Sequence, residues 1–403
     1  MIFSIDNFIS EQITRRDSSM CTGDIQENED IINEQIKDRN ILVIGGAGSI
    51  GSAFIKSILP YRPESLTVVD INENSLAELN RDLRSIDNIY IPNNFILYPI
   101  DYSDNVFSKL FLSSNGFDII ANFSAHKHVR SEKDIFSIEA LLNNNVILLK
   151  KLLDLLLKHP PERFFCVSTD KATNPVNIMG ASKKIMEDVV LSYSNEFLVS
   201  SARFANVAFS NGSLPAGFIE RINKRQPIAA PNDIKRYFVS PKESGEICML
   251  ACILGKNNEI FFPKFEGSQM MTFSDIAEKL LFSFGYKPVQ YKTAEEAIKA
   301  SARIGQGNNE YPVFFSKSDT TGEKDFEEFY AEDETVVLNR FDSLGVIEKD
   351  KSICKDKLDL LFENLHDLFS KSNTTKDDIV RILQSYLPNF VHSEKEKNLD
   401  QKM

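Results

Sequence analysis

Residues 40–51 read NILVIGGAGSIG and residues 65–70 read SLTVVD. The first is a short run of branched apolar residues that stops at glycine. The second is another such run, and it stops at a carboxylate. Between them, SAFIKSILP carries apolar residues at helical spacing. A strand, a glycine turn, a helix and a second strand form one unit of a parallel sheet. The glycines fall at Gly45, Gly48 and Gly51. In this setting they permit a tight turn and let backbone N–H groups, with Ser49 and Ile50 at the helix start, approach a pyrophosphate. Asp70 lies 19 residues past Gly51, where a carboxylate would accept hydrogen bonds from an adenosine ribose. It would repel a 2′-phosphate, and the INENS that follows offers no basic residue, so NAD is favoured over NADP.

The alternation continues outward from this unit. ENSLAELNRDLRS reads as an amphipathic helix, NFILYPID as a third strand and FDIIANFSA as a fourth. IEALLNNNVILLKKLLDLLLKH is a long helix, RFFCVSTD a fifth strand, MGASKKIMEDVVLSYSNEF a helix and FLVSSARFANVAF a sixth strand. The pattern predicts an α/β fold: a doubly wound parallel sheet covered on both faces. Asp101, at the end of the third strand, reads either as an adenine-edge contact or as a strand-end turn, and Ala125 follows the fourth strand on the cofactor side. Residues 1–38 are polar and acidic and read as an extension, loosely helical or partly disordered. The nucleotide domain is placed at 39–207 with a return segment near 236–262. Residues 208–403 form a smaller C-terminal α+β substrate region and a polar, irregular tail, which ends in a helix with a capping pattern at Thr375 and Asp378.

Composition narrows the function. The chain has 403 residues and a net charge of −12, which argues against nucleic acid as a partner. The five cysteines are scattered without a CxxC pair and read as reduced, in a cytoplasmic setting. No apolar run reaches the length of a membrane span, and the first residues do not resemble a signal peptide. His126 and His128 have no third ligand in sight, so no metal is expected.

The fifth strand ends in Ser168, Thr169, Asp170 and Lys171, at the sheet edge where such folds bind ligands. Lys183 follows one loop and one helical turn later. The position four residues before it, where a catalytic tyrosine often stands in nucleotide-dependent enzymes, is Met179. GGAGSIG, SAHKHV, the STDKAxNPxNxMGASK run, RFANV, RYF and TTGEKDFEE together resemble the extended short-chain dehydrogenase/reductase superfamily. Within it they resemble the polysaccharide-biosynthesis branch of UDP-N-acetylglucosamine 4,6-dehydratases, over about residues 38–330.

The resemblance implies a Rossmann domain, bound NAD and a nucleotide-sugar substrate. It also implies a reaction in which hydride leaves C4, water leaves across C5 and C6, and hydride returns to C6. On this basis Asp170 is the acid for the C6 hydroxyl, Lys171 the C5 base, Thr169 the group that orients the C4 hydroxyl and Lys183 the holder of the nicotinamide ribose. Lys127, Asn206 and Arg236 match positions that face the sugar nucleotide or its phosphates. Members of the branch carry methionine at the place of Met179, and with it retention at C5. A nucleotide-sugar 4-epimerase, a dehydratase of GDP-sugars and a non-catalytic NAD sensor are the rival readings. The helices at 138–159 and 179–197 resemble the pair through which the superfamily dimerises, so a homo-oligomer is expected.

Overall fold

Strand β1 (Asn40–Ile44) runs through the middle of a nine-stranded sheet. The computed structural model describes residues 3–127, 132–305, 309–318, 328–349, 353–371 and 373–392. On one side of β1 lie β2 (Ser65–Val69) and β3 (Asn94–Tyr98). On the other side lie β4 (Ile119–Asn122), β5 (Arg163–Thr169) and β6 (Leu198–Phe204), all parallel to it. Alternate residues face opposite layers, as pleating requires. Leu42, Ile44, Ile120 and Phe164 enter one apolar core, while Ile41, Val43, Ile119 and Phe165 enter the other. Both faces are therefore dry, which is why these strands read as unbroken apolar runs. The direction of strand succession reverses between β1 and β4, and such a switch point opens a crevice at the carboxyl ends of the strands.

The sheet draws on more of the chain than the first six strands. Glu259–Pro263 adds in parallel to β6, and Leu344–Glu348 and Thr335–Val337 extend it antiparallel. The C-terminal hundred residues are therefore not simply irregular: they supply two strands of this sheet, a third strand, Glu310–Ser316, in a smaller one, and a packed pair of helices, Lys355–Phe369 and Lys376–Tyr386. The capping pattern at Thr375 and Asp378 forms as a full capping box. A helix not expected from the sequence, Asn105–Ser113, links β3 to β4 and buries Phe107 and Phe111. A second, smaller unit holds a three-stranded parallel sheet (Ile228–Pro231, Glu310–Ser316 and Lys287–Gln290) with helices Leu214–Asn223 and Phe273–Ser283.

The N-terminal residues are corrected most. They are ordered helical turns that join both cores. Phe8, Ile9 and Ile13 enter the core of the smaller unit, while Cys21, Ile32 and Ile36 enter that of the large sheet. Arg16 forms a two-pronged ion pair with Glu243 at 2.7 and 2.8 Å. The Asp24 carboxylate accepts from the backbone N–H groups of Asp342 and Ser343. A polar average concealed a few well-placed apolar side chains.

Candidate active site

The glycine turn after β1 is shaped by close approach. Gly45 has φ +71°, and a Cβ there would lie 2.7 Å from the Ser124 nitrogen. A Cβ on Gly51 would lie 2.5 Å from the Gly45 carbonyl oxygen. Gly48 precedes the helix Ser49–Ile58, and no side chain caps that helix start. Orphan N–H groups at a helix N-terminus favour an anion. Asp70 accepts from the N–H groups of Ala47 at 3.0 Å and Asn72 at 2.9 Å, so its carboxylate braces the turn as well as closing β2. Ser49 accepts from Asn211 N–H at 2.8 Å, and Lys127 donates to the Asn211 carbonyl at 3.1 Å. Asp101 accepts from Ser103 N–H at 2.8 Å in a strand-end turn.

At the other end of the crevice, β5 runs into a single turn of 3-10 helix, Asp170–Ala172. The Thr169 hydroxyl donates to Asp170 Oδ1 at 2.6 Å, and Lys171 Nζ donates to both Asp170 oxygens at 3.1 and 3.2 Å. Asp170 is buried, with Lys171 half-buried beside it. The helix Ile178–Leu191 begins directly against this turn. A Cβ on Gly180 would come within 2.4 Å of the Lys171 carbonyl oxygen. Asn177 caps that helix, accepting from Gly180 N–H at 2.7 Å. Lys183 is buried one turn on, and its Nζ donates to the Val167 carbonyl at 3.3 Å. Burial lowers the pKa of this ammonium, with Cys166 and Glu187 pulling the other way. Burial, with Lys183 nearby, likewise lowers that of His126. The structure thus joins Thr169, Asp170 and Lys171 directly and sets Lys183 behind them. His128 and all but the last residue of TTGEKDFEE lie outside the described residues.

Several supporting residues escaped the sequence reading. Asn145 is buried and accepts from His126 N–H at 2.8 Å while donating to the His126 carbonyl at 2.9 Å and to Ser182 at 3.0 Å. It thereby fixes the segment that carries Ala125. The signal was present: NNN at 143–145 interrupts an apolar helix, and the chain forms a π-helical turn there. Below the Asp170 turn, Arg203 is fully buried. It holds Glu187 through two bonds of 2.8 Å, Glu334 through bonds of 2.7 and 2.8 Å, and Thr173 at 3.0 Å. Ser168 donates to Glu187 at 2.7 Å, so this buried ion network supports both ends of the STDK turn.

Asn206 and Arg236 sit on short segments beyond β6. Asn206 pairs across to Phe238, and its N–H donates to the Tyr237 carbonyl at 3.2 Å. Arg236 is buried and pairs with Met271. Tyr237 stacks on Phe265 with centroids 4.7 Å apart, forming an aromatic wall. Met179 is buried, and its side chain belongs to the core behind β5. Among the described residues no cluster of His, Cys, Asp and Glu could hold a metal. No described helix is long and apolar enough to cross a membrane.

Comparison with known proteins places this geometry in a family. The family model described as polysaccharide biosynthesis protein matches residues 41–334. An uncharacterized membrane protein of Methanocaldococcus jannaschii, MJ1061, is 32% identical over 64% of this chain and 76% of that one. The chain spans only 48% and 54% of two further relatives named for polysaccharide biosynthesis, from Bacillus subtilis and Staphylococcus aureus. Among solved structures, Pen from Bacillus thuringiensis gives a TM-score of 0.61 over 82% of this chain and 98% of its own, at 20% identity. The dTDP-glucose 4,6-dehydratase DesIV of Streptomyces venezuelae, solved as a double mutant with NAD and DAU bound, gives 0.53 over 72% and 87%, also at 20% identity. At such identities the two structures show a shared fold, the doubly wound parallel sheet described above.

Proposed function

The chain belongs to the polysaccharide biosynthesis protein family, and we propose that it is a nucleotide-sugar 4,6-dehydratase that uses NAD. Its substrate is UDP-N-acetylglucosamine, and the 4-keto-6-deoxy product keeps its C5 configuration. Family and fold support the broader part, an enzyme of the nucleotide-sugar epimerase and dehydratase kind. One observation carries the narrower part: an acid and a base, Asp170 and Lys171, in contact at the end of β5 with the Thr169 hydroxyl beside them. A 4-epimerase has no use for such a pair.

The uncapped helix start at Ser49 fits a pyrophosphate, and Asp70 fits a ribose without a 2′-phosphate. When bound, NAD supplies the acceptor for hydride from sugar C4 and the donor that returns it at C6, so none is consumed. Lys183, buried with a weakened hold on its proton, holds the nicotinamide ribose. Thr169 orients the C4 hydroxyl. Asp170 and Lys171 rest as an ion pair, and moving one proton across their 3.1 Å hydrogen bond yields a neutral acid and a neutral base. The C4 hydroxyl proton passes to water as hydride leaves, Lys171 takes the C5 proton and Asp170 protonates the departing C6 hydroxyl. As hydride returns to C6, Lys171 gives its proton back to C5 and regains one from water, which restores the resting ion pair.

The test is incubation of the purified protein with UDP-N-acetylglucosamine and, in parallel, a GDP-linked hexose, followed by proton NMR. The reading expects a C6 methyl doublet and loss of the H4 signal from the UDP-sugar without added cofactor. Inversion at C4 with C6 still hydroxylated would make the protein an epimerase instead.

A further inference from the structure

We propose that Glu132 is a positioning residue for the Met179 end of the catalytic helix and that the C-terminal residues Phe390 and His392 lock it in place. The inference rests on the assignment of Lys183 and the Asp170 turn to the site above. Met179 is the second residue of the helix Ile178–Leu191, so its N–H has no partner within the helix. Glu132, from a distant part of the chain, accepts that N–H at 2.9 Å. The Met179 carbonyl accepts from Ser182 at 2.7 Å, and Ser182 in turn is held by Asn145. Asn177 satisfies the next N–H, that of Gly180. Both sides of the Met179 peptide are thus pinned by side chains, and the Glu132 pin is the one from outside the helix and its π-helical neighbour. A carboxylate at this helix start also gains from the helix dipole.

The second Glu132 oxygen explains the tail. Oε2 lies 3.5 Å from His392 Nε2, and among the described residues neither atom has a hydrogen-bond partner. Both side chains are nearly closed off from solvent, at 4% and 9% exposure. Two buried orphans facing each other require a proton between them, because a lone pair on Nε2 would meet the carboxylate lone pairs. His392 therefore carries its proton on Nε2 and completes the contact. Its ring stands edge-on to Phe390 with centroids 6.1 Å apart. Phe390 is buried in the main core, and its N–H donates to the Leu387 carbonyl at 2.9 Å. The tail is anchored by the C-terminal helix pair and delivers one imidazole to the residue that sets the catalytic helix. Site geometry thus depends on a segment outside the nucleotide-binding motifs.

The experiment compares Glu132→Ala, Glu132→Gln and His392→Ala in the full chain by three measurements. These are kcat and KM for UDP-N-acetylglucosamine, NAD retained on purification, and hydrogen–deuterium exchange of peptides covering 176–186. Glu132→Ala and His392→Ala should speed exchange at the helix start. They should lower kcat by about 10- to 100-fold, the scale of a slightly misplaced catalytic group, with KM and retained NAD nearly unchanged. Glutamine keeps a carbonyl for Met179 N–H, and its amide can donate to His392 Nε2 once the imidazole proton sits on Nδ1, so Glu132→Gln should restore most of the kcat lost in Glu132→Ala. Unchanged exchange in both alanine variants overturns the proposal, as does a Glu132→Gln variant no better than Glu132→Ala. A parallel fall in kcat, NAD retention and thermal stability would mark the contact as generally structural and overturn it too. The exchange measurement needs no turnover, so it stands even if the substrate assignment fails.

Discussion

Asp170 sits within hydrogen-bond reach of both its neighbours in sequence, and that arrangement makes the first prediction. Asp170→Asn keeps the shape and removes the acid; Lys171→Met removes the base. Each should cost about 10²–10⁴-fold in kcat while NAD stays bound, and near wild-type rates in both variants would overturn the acid and base roles. Met179 argues the other way. It is buried at 1% exposure in an apolar core, so Met179→Tyr adds bulk and a hydroxyl in need of a partner. Its activity should stay level or fall, and a many-fold gain would mean that the site is an impaired form of a tyrosine enzyme. Arg203 governs a pH response. Burial works against ionisation of Glu334, yet the hydrogen bonds and charge of Arg203, with Lys349 behind them, hold this carboxyl down from 4.5 to about 2. A depressed carboxylate pKa contributes stability that is fully present above about pH 4.5 and lost as pH falls toward 2. Unfolding midpoints in urea measured from pH 6 to pH 3 should fall across that window. Arg203→Met, which strands two buried carboxylates, should flatten the slope and cost about 3–5 kcal/mol at neutral pH.

Elements differ in how plainly the sequence announces them. β1, β2, β4 and the middle of β5 are buried on both faces, so each is a mostly apolar run that composition alone picks out. The glycine turn was legible because Gly45 and Gly51 stand where any Cβ would strike backbone. The STDK turn was legible because three functional side chains stand in a row. What stayed hidden depends on distant partners. Arg203 looks like one more residue in a strand, and only the fold brings Glu187 and Glu334 to it. Glu132 is one charge in a polar stretch until the chain carries it to Met179. The Asn105–Ser113 helix is short, and polar residues bound it on both sides. Contact between elements yields its own prediction. Gly180→Ala would set a methyl 2.4 Å from the Lys171 carbonyl, on backbone that cannot swing aside, and so part the helix from the Asp170 turn. The expected result is a fall in kcat with a modest loss of thermal stability. Activity equal to wild type would show that this spacing does not matter.

At the scale of the whole molecule, the excess of apolar residues in NVILLKKLLDLLL has a different explanation from the dimer face expected from sequence. The helix pair Lys355–Phe369 and Lys376–Tyr386 lies over it. Leu358, Leu361, Leu365, Ile379 and Leu383 share one core with Leu149, Leu152, Leu156, Val189 and Val190. The Lys150 ammonium stands over the Phe362 ring at 5.6 Å, and the Tyr386 hydroxyl donates to Asp188 at 3.3 Å. The chain thus covers with its own C-terminal hairpin the surface that a second copy would otherwise bury. Self-association of the intact chain is then expected to use another surface. A chain ending at residue 352 uncovers the stripe, and exposed apolar patches of that kind drive association. Light scattering at micromolar concentration should show a larger particle for the shortened chain than for the intact one. Cysteines placed at Lys151, on the first covered helix, and at Glu196, in the turn that follows the second, should form no intermolecular disulfide in the intact chain but do so in the shortened one. Cross-linking of the intact chain through those positions would mean that the hairpin moves aside and that the expected dimer face is in use after all.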